Sequence, residues 1–457
     1  MKRKIKLKNK YFFIGIAGSG MSAIAQFLRG KGREVSGSDR IFASPEGQDT
    51  KRKLEAEGIK CYNQGETVPD LDTDCVVVST AIEETVPEYA FAMKNNLRIL
   101  HRSKLLADIA LKSKTIAVSG TSGKSTTTAM IYCILEKCGF SPSLISGAGL
   151  VELQNQGKIG NAAVGNSDYL VIESDESDGT IKNYRPSIGV ILNIDRDHKE
   201  IPELMELFTA FAHNTRNNLI VNQDNERSAS LSIDIVNDFS CRGLAGNNAE
   251  DFVQNPDSIE FTCDDTRFKI NVIGRHNMEN AMAAISVARV LGISDKDSAA
   301  ALAQYQGIYR RNRVIANKNG IVIMDDFAHN PAKISASISA CQAISKRVIA
   351  WFQPHGFAPS RMMKDELIER LAALLRPEDR IIFSKIYYAG GTADQSFSAS
   401  TFADSLAALG KNALYIADRQ DIIPELRSTA QPGDIILLMG ARDPSLADFA
   451  EIVKNAL

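Results

Sequence analysis

The chain has 457 residues, 44% of them hydrophobic, with 53 Lys and Arg against 55 Asp and Glu for a formal net charge of −2. So long a chain exceeds a single core and reads as about three domains, and its near-cancelled charge gives no sign of electrostatic adhesion to nucleic acid or to an anionic membrane. The seven cysteines, at 61, 75, 133, 138, 241, 263 and 341, are scattered without a C-x-x-C pair, as expected of reduced thiols in a cytoplasm.

The start, Met1-Lys2-Arg3-Lys4-Ile5-Lys6, is basic, but the apolar stretch behind it is interrupted by Gly15, Gly18 and Gly20 and has no cleavage site of small residues. Neither a signal peptide nor a membrane span is expected. From Tyr11 to about Leu111, apolar runs at 11–16, 34–36, 75–79 and 97–100 alternate with amphipathic stretches such as 21–30, the pattern of a parallel sheet wrapped by helices. Gly15-Ile16-Ala17-Gly18-Ser19-Gly20-Met21-Ser22 follows the first strand and opens a helix. A pyrophosphate suits that helix N-terminus, and Asp39, which ends the second strand, suits a ribose hydroxyl. NAD is the rival ligand for such a loop, although the glycines fall as G-x-x-G-x-G rather than G-x-G-x-x-G. Glycines present for tight packing alone are a third reading.

A second αβ segment starts with the strand predicted at Lys114–Ser119 and ends near Gln306, after the strongly helical 277–291. Gly120-Thr121-Ser122-Gly123-Lys124-Ser125-Thr126 directly follows that first strand. Small residues let backbone N–H groups turn toward an anion, and the next helix presents its positive end to the same place. Lys124 is then placed to reach the outer phosphates of ATP, and the Ser125 hydroxyl to hold a magnesium ion. Val118 occupies the first glycine position of the longer G-x-x-x-x-G-K-[ST] form, so the match is to the shorter version. Farther on, Glu173-Ser174-Asp175-Glu176-Ser177-Asp178 follows an apolar strand, where carboxylates would hold a hard cation. Glu173 is the chosen magnesium ligand, and the rest fits a solvated acidic loop better. His198, past the next strand, is the candidate to complete the metal shell. Residues 237–273 hold short strand-like runs, expected to form an antiparallel appendage.

The third segment begins around Tyr309, with buried-strand runs at 321–324, 347–352, 380–383, 413–416 and 434–438 separated by helical stretches. This again predicts a doubly wound sheet. His101, His198, His329 and His355 sit at or past apolar strands, and strand ends of such domains face the ligand crevice. Arg361 and Arg442 fall in strand-end loops, where a guanidinium fork would pair with a carboxylate of an acceptor. A surface pairing of these arginines with Asp394 or Asp443 is the plainer alternative.

The chain resembles the Mur ligase family over nearly its whole length. The resemblance is carried by the 15–22 loop, His101-Arg102, Gly120 to Ser125, the Glu173 cluster, Asp197-His198, Gly274-Arg275-His276-Asn277 with Asn280, Arg310-Arg311, Asp325 to Pro331, Phe352-Gln353-Pro354-His355 and Gly440-Ala441. It implies an α/β chain of three domains: a Rossmann-like UDP-sugar domain (1–111), a central P-loop ATPase-like domain with a mostly parallel sheet (112–308), and a Rossmann-like domain for the incoming amine (309–457). It further implies substrate contacts from Gly18, Ser19, Gly20, Met21, Ser22, His101, Arg102, His329 and His355, to which the strand-end positions of Asp39, Arg361 and Arg442 add those three as candidates. Nucleotide contacts fall to residues 120–126, Asn280 near adenine, and Arg311 and Asp326, brought by closure of the third domain. The catalytic set is Lys124, Glu173, His198, Arg311, His329 and His213, the last standing where many relatives carry a carbamylated lysine.

The implied chemistry is ATP- and Mg2+-dependent amide formation between the carboxylate of UDP-N-acetylmuramate and L-alanine, in a cytoplasmic monomer or homodimer. The alternatives are a recycling relative that adds a short peptide, a different amide ligase of the same three domains, and a nucleotide-binding protein without catalysis. Departures from the alanine-adding pattern bear on the amine: Ser122 replaces a histidine, His329-Asn330-Pro331 a His-His-Pro, and Arg442 a glycine.

Overall fold

A computed structural model describes residues 10–176, 179–196, 199–255, 257–388 and 394–457. The first sheet is built from β1 (Lys10–Ile14), β2 (Glu34–Asp39), β3 (Lys60–Asn63), β4 (Cys75–Val78) and β5 (Ile99–His101). Their order is β3-β2-β1-β4-β5 and every pairing is parallel. All four residues of β4 are buried, because helices cover both faces and leave no solvent side to alternate with. Phe12, Ile14, Val76 and Val78 pack on one face with Ala92, while Phe13, Cys75 and Val77 pack on the other against Ile24 and Phe27 of the helix Ser19–Gly30. Strand order reverses between β1 and β4, so the 15–22 loop opens at the switch point where ligands of such sheets bind.

The central sheet comprises β6 (Lys114–Ser119), β7 (Ser143–Ile145), β8 (Ala162–Ala163), β9 (Tyr169–Glu173), β10 (Ile188–Ile191) and β11 (Asn218–Val221). Its order is β11-β10-β6-β9-β7-β8, and only the β7–β8 pair is antiparallel. β6 is central, with the helix Lys124–Lys137 leaving its carboxyl end. The appendage differs from its expectation in one respect. Phe239–Ser240 and Asn247–Asn248 pair in parallel, and Phe239 bridges to Asn222 beside β11. The next three strands, Glu250–Gln254, Ile259–Cys263 and Thr266–Ile270, form a separate sheet in chain order.

By packing, the chain divides into two compact units. One runs to Asp251 and takes in Phe261–Lys269 and Met278–Ile308; the other holds Phe252–Glu260, Ile270–Asn277 and Tyr309–Leu457. The first two sheets share the first unit because their cores are continuous, Phe13 and Ile24 belonging to the same cluster as Ile145, Leu170 and Ile172. A polar seam also joins them. The buried Asn161 amide donates to the Ser19 carbonyl at 2.7 Å and to Ser22 Oγ at 2.9 Å, and its oxygen accepts from Gln26 Nε2 at 2.9 Å.

In the second unit the sheet order is β17-β18-β22-β19-β20-β21, from Arg313–Lys318, Ile321–Asp326, Asp434–Gly440, Arg347–Gln353, Arg380–Phe383 and Ala413–Tyr415. Only the edge strand β17 runs antiparallel. It escaped the sequence reading because, half-exposed along its length, it lacks the continuous apolar run of its neighbours. Val348, Ala350 and Phe352 face one core and Ile349 and Trp351 the other. All seven cysteines are free thiols. Among the described residues, no helix is long and apolar enough to cross a membrane.

Candidate active site

The loop between β6 and its helix is shaped by two glycines with positive φ, Gly120 at +141° and Gly123 at +86°. A Cβ on Gly120 would stand 3.0 Å from Leu192 Cβ, and one on Gly123 only 2.4 Å from Asn280 Oδ1, so only glycine fits this path. Asn193, just past β10, staples the loop in place. Its side-chain oxygen accepts from Thr121 Oγ1 and from the Ser122 amide, both at 2.8 Å, and its amide donates to the Ser122 carbonyl at 3.2 Å. The Thr121 amide donates to the Asn193 carbonyl at 3.1 Å. Asn280 accepts from Thr127 Oγ1 at 3.2 Å, which fixes it against the first turn of the helix.

Lys124 Nζ donates to the Gly120 carbonyl at 2.7 Å and to Glu176 Oε2 at 2.6 Å, with Asp175 at 3.6 Å. Burial alone would lower its pKa, but Glu176, Asp175 and Glu173 together outweigh it and hold the ammonium charged. Burial pushes the Glu176 carboxyl up, against the pull of Lys124. This corrects the reading of the acidic stretch. Glu176, not Glu173, is the deeply buried carboxylate, its side chain only 4% exposed. A surface-loop reading failed there because the partner cation lies 52 residues earlier and meets it only across the sheet.

Glu173 ends β9 beside β6, so strand register places it next to the loop. Its Oε2 accepts from Ser125 Oγ at 3.1 Å, while Oε1 accepts from the Gly147 amide at 2.8 Å and from Ser146 Oγ. Ser125 and Glu173 are thus brought together. Asp197 and His198 lie outside the described residues. Among the described residues no group of three or more His, Cys, Asp and Glu is placed to hold a metal. His213 is not brought to the loop. It lies exposed in the last turn of the helix Ile201–Asn214, whose following residues Arg216 and Asn217 bond Pro186 and Ser187 at the start of β10. The helix runs back along the strand and so delivers His213 to the opposite edge of the sheet from Asn193.

In the first sheet, Gly15 takes φ +80° and donates to the Ser38 carbonyl at 2.7 Å, turning the chain toward a helix capped at Gly18. Arg102 lies over the opening of that helix, and a Cβ on Gly20 would meet its Nη1 at 2.4 Å. A helix N-terminus and a guanidinium together favour a phosphate. Met21 and Ser22 are buried in the first turn. Asp39 is committed locally, one oxygen accepting from the Ala17 amide at 2.8 Å and the other from Ile41 at 3.0 Å. It therefore shapes the loop as well as lying beside it. His101 caps the helix Arg102–Leu111, its Nδ1 2.8 Å from Ser103 Oγ, and its buried Nε2 has no partner among the described residues.

In the second unit, His329 and His355 converge past the ends of β18 and β19, ring centroids 5.6 Å apart. Burial, with the charge of Lys333, pushes His329 down to about 3, and burial with the charge of Arg442 pushes His355 down to about 4. Both rings are neutral at neutral pH. Asp326 is buried and accepts from the Asn312 and Ala328 amides, and the Arg311 guanidinium lies 5.2 Å from the Phe327 ring. Arg361 pairs with Asp394 at 2.8 Å, the plainer of its two readings.

The Mur ligase family catalytic domain matches residues 10–114, the Mur ligase middle domain residues 118–288, and the Mur ligase glutamate ligase domain residues 310–442. The UDP-N-acetylmuramate–L-alanine ligase of Pelotomaculum thermopropionicum is 35% identical over 98% of each chain, and that of Carboxydothermus hydrogenoformans 33% identical over 96% of each. The chain belongs to the Mur ligase family. The structure of the UDP-N-acetylmuramate–alanine ligase of Thermotoga maritima superposes with a TM-score of 0.80 at 25% identity, covering 98% of this chain and 100% of that one. A murein peptide ligase of Psychrobacter arcticus shares the fold, with a TM-score of 0.66 at 22% identity over 98% of each chain. As a Mur ligase, the protein forms carbon–nitrogen bonds.

Proposed function

We propose that the protein joins the carboxylate of UDP-N-acetylmuramate to the amine of L-alanine with ATP, in the cytoplasm, as a step of peptidoglycan synthesis. The likeness to two alanine-adding ligases over 96% or more of the chain carries this reading. The loop geometry supports the nucleotide part, since the positive φ of Gly120 and Gly123 and their close packing on Leu192, Asn193 and Asn280 hold a tight glycine turn at the N-terminus of the helix Lys124–Lys137, where a phosphate is favoured. Residues 120–126 would hold the phosphates and Asn280 would lie toward the base. Ser125 and Glu173 fit a Mg2+ ion, a serine hydroxyl and a carboxylate being the hard oxygen donors it takes. Bound there, the ion would neutralise phosphate charge.

In this reading the carboxylate of the UDP-sugar attacks the γ-phosphate and ADP leaves. The resulting acyl phosphate is attacked by the amine, and inorganic phosphate departs from the tetrahedral adduct. Lys124 stays protonated beside its carboxylates and supplies fixed positive charge where the transferred phosphoryl group carries negative charge. The helix opening at Ser19, with Arg102 above it, would hold the sugar nucleotide's pyrophosphate. Phosphate release from UDP-N-acetylmuramate and ATP should depend on L-alanine, with one phosphate per amide formed. Turnover with an L-Ala-D-Glu-diamino-acid tripeptide and none with L-alanine would replace this reading by the peptide-adding one.

A further inference from the structure

Three parallel strands end side by side in the second unit in the order β18-β22-β19, and the loop after β22 therefore emerges between His329 and His355. Arg442, in that loop, holds φ +65°, a left-handed conformation that favours glycine. The backbone is braced on both sides of it. Arg310 Nη2 donates to the Gly440 carbonyl at 3.0 Å while Arg310 Nε pairs with buried Asp325 at 3.0 Å. On the far side, Asp443 accepts from Arg419 Nη1 at 2.8 Å and from the Ser445 amide at 2.9 Å. Asp443 is therefore taken by Arg419, and Asp394 by Arg361. The exposed Arg442 guanidinium makes no hydrogen bond or ion pair with any described residue, although its charge is felt at His355.

A disfavoured backbone braced by a buried ion pair on one side and a part-buried one on the other, ending in a cation without a counter-charge among the described residues, is an arrangement that folding alone does not require. The neighbouring histidines are neutral, so an anion arriving between them would meet the charge of Arg442 on the His355 side and that of Lys333 on the His329 side. We propose that Arg442 is a specificity residue for the acceptor, its guanidinium pairing with the acceptor's carboxylate. This rests on the ligase reading above, in which the acceptor is an amino acid carrying one free carboxylate. The guanidinium fork matches that group with two parallel N–H···O bonds, and an uncharged carboxamide in its place would forfeit the charge.

The test compares initial rates with L-alanine and L-alaninamide for the wild type, Arg442→Gly and Arg442→Lys. Glycine accepts φ +65° freely, so Arg442→Gly removes the guanidinium while relaxing the backbone, and its melting temperature should hold or rise. The KM for L-alanine should rise roughly 10- to 100-fold in Arg442→Gly, and the preference for the acid over the amide should fall by a similar factor. The KM values for ATP and the UDP-sugar should stay in place, and Arg442→Lys should recover part of the preference. An unchanged acid-to-amide ratio in a folded Arg442→Gly protein would overturn the proposal, as would an equal rise in all three KM values. If the wild type makes no product with L-alanine, the ligase reading falls instead. The same ratio, taken with the free acid and the carboxamide of whichever amine supports turnover, then decides Arg442's role.

Discussion

Lys124 meets its charge partners only in the folded chain, and two substitutions separate its roles. Lys124→Ala should lower turnover roughly 100-fold or more, because a fixed cation aimed at moving charge is lost. Its affinity for the UDP-sugar, measured by calorimetry, should not change, since the 15–22 loop belongs to another sheet. Glu176→Gln leaves the buried ammonium short of its nearest counter-ion at 2.6 Å. Breaking such a pair costs about 3–5 kcal/mol, so the unliganded protein should melt earlier, and ATP should raise its melting temperature more than it does for the wild type. Equal shifts by ATP in both proteins would mean that the phosphates do not take over Glu176's place. Glu173→Gln should leave the fold intact but raise the Mg2+ concentration needed for half-maximal rate, because the amide keeps an oxygen and loses the charge. A magnesium titration reads this directly.

Among the elements, the 120–126 loop combines what is readable locally with what is not. Its two glycines, its lysine and the strand and helix around it were legible from residue types and spacing, since a left-handed turn next to a helix start is a local demand. Asn193 was visible as a residue but not as the staple, because its partners Thr121 and Ser122 lie 71 or 72 positions away. Gly123→Ala forces a side chain into φ +86° and against Asn280. The backbone cost alone is about 1–2 kcal/mol, and the KM for ATP should rise roughly tenfold. Asn193→Ala should act in the same direction by about 1–3 kcal/mol, through the Ser122 amide and Thr121 hydroxyl it abandons. Steady-state kinetics check both, and a rise confined to the UDP-sugar KM would contradict the assignment of this loop.

At the scale of the molecule, the first two sheets form one packed unit, and the Asn161 seam ties the central sheet to the opening turn of the first helix. Asn161→Ala strands the Ser22 and Gln26 polar groups in a buried place, at about 1–3 kcal/mol. It should weaken UDP-sugar binding severalfold in calorimetry while leaving ATP affinity nearly unchanged. The second unit has its own reporter, since Trp351 is the chain's one tryptophan and is 1% exposed in that core. His329 and His355, pushed down to about 3 and about 4, bind protons more readily when unfolded. Their stabilisation is therefore complete above about pH 6.5 and is lost as pH falls through the folded values. Asp325 runs the other way, raised by burial to about 6 despite Arg310, and favours the folded state at low pH. His276, also pushed down to about 4 by burial, adds to the histidines, and buried Asp326, raised in the same way, adds to Asp325. The contribution of the two crevice histidines is therefore read as a difference: in denaturant melts followed by Trp351 fluorescence, His329→Gln with His355→Gln should lose less stability than the wild type between about pH 6.5 and pH 4. Equal losses in the two proteins would show that these rings are open to solvent.

The amino-acid order made legible much of what depends on neighbours along the chain, although the half-exposed edge strand Arg313–Lys318 was missed. Unbroken apolar runs marked the buried parallel strands, and glycines followed by Lys124 and Ser125 marked a candidate phosphate cradle. Strand-end addresses picked out His329, His355 and Arg442 as crevice residues, since doubly wound sheets gather their strand ends on one edge. What depends on pairing across the chain was settled only by tertiary packing. Register brought Glu173 beside Ser125, and burial made Glu176 rather than a nearer carboxylate the partner of Lys124. The return of the helix Ile201–Asn214 along its sheet carried His213 away from the loop, a fact of direction that spacing from His198 does not encode. Arg361 and Arg442 looked alike as strand-end arginines. Folding separated them, because Asp394 closes on the first while Arg419 removes Asp443 from the second, leaving Arg442 charged and without a partner among the described residues.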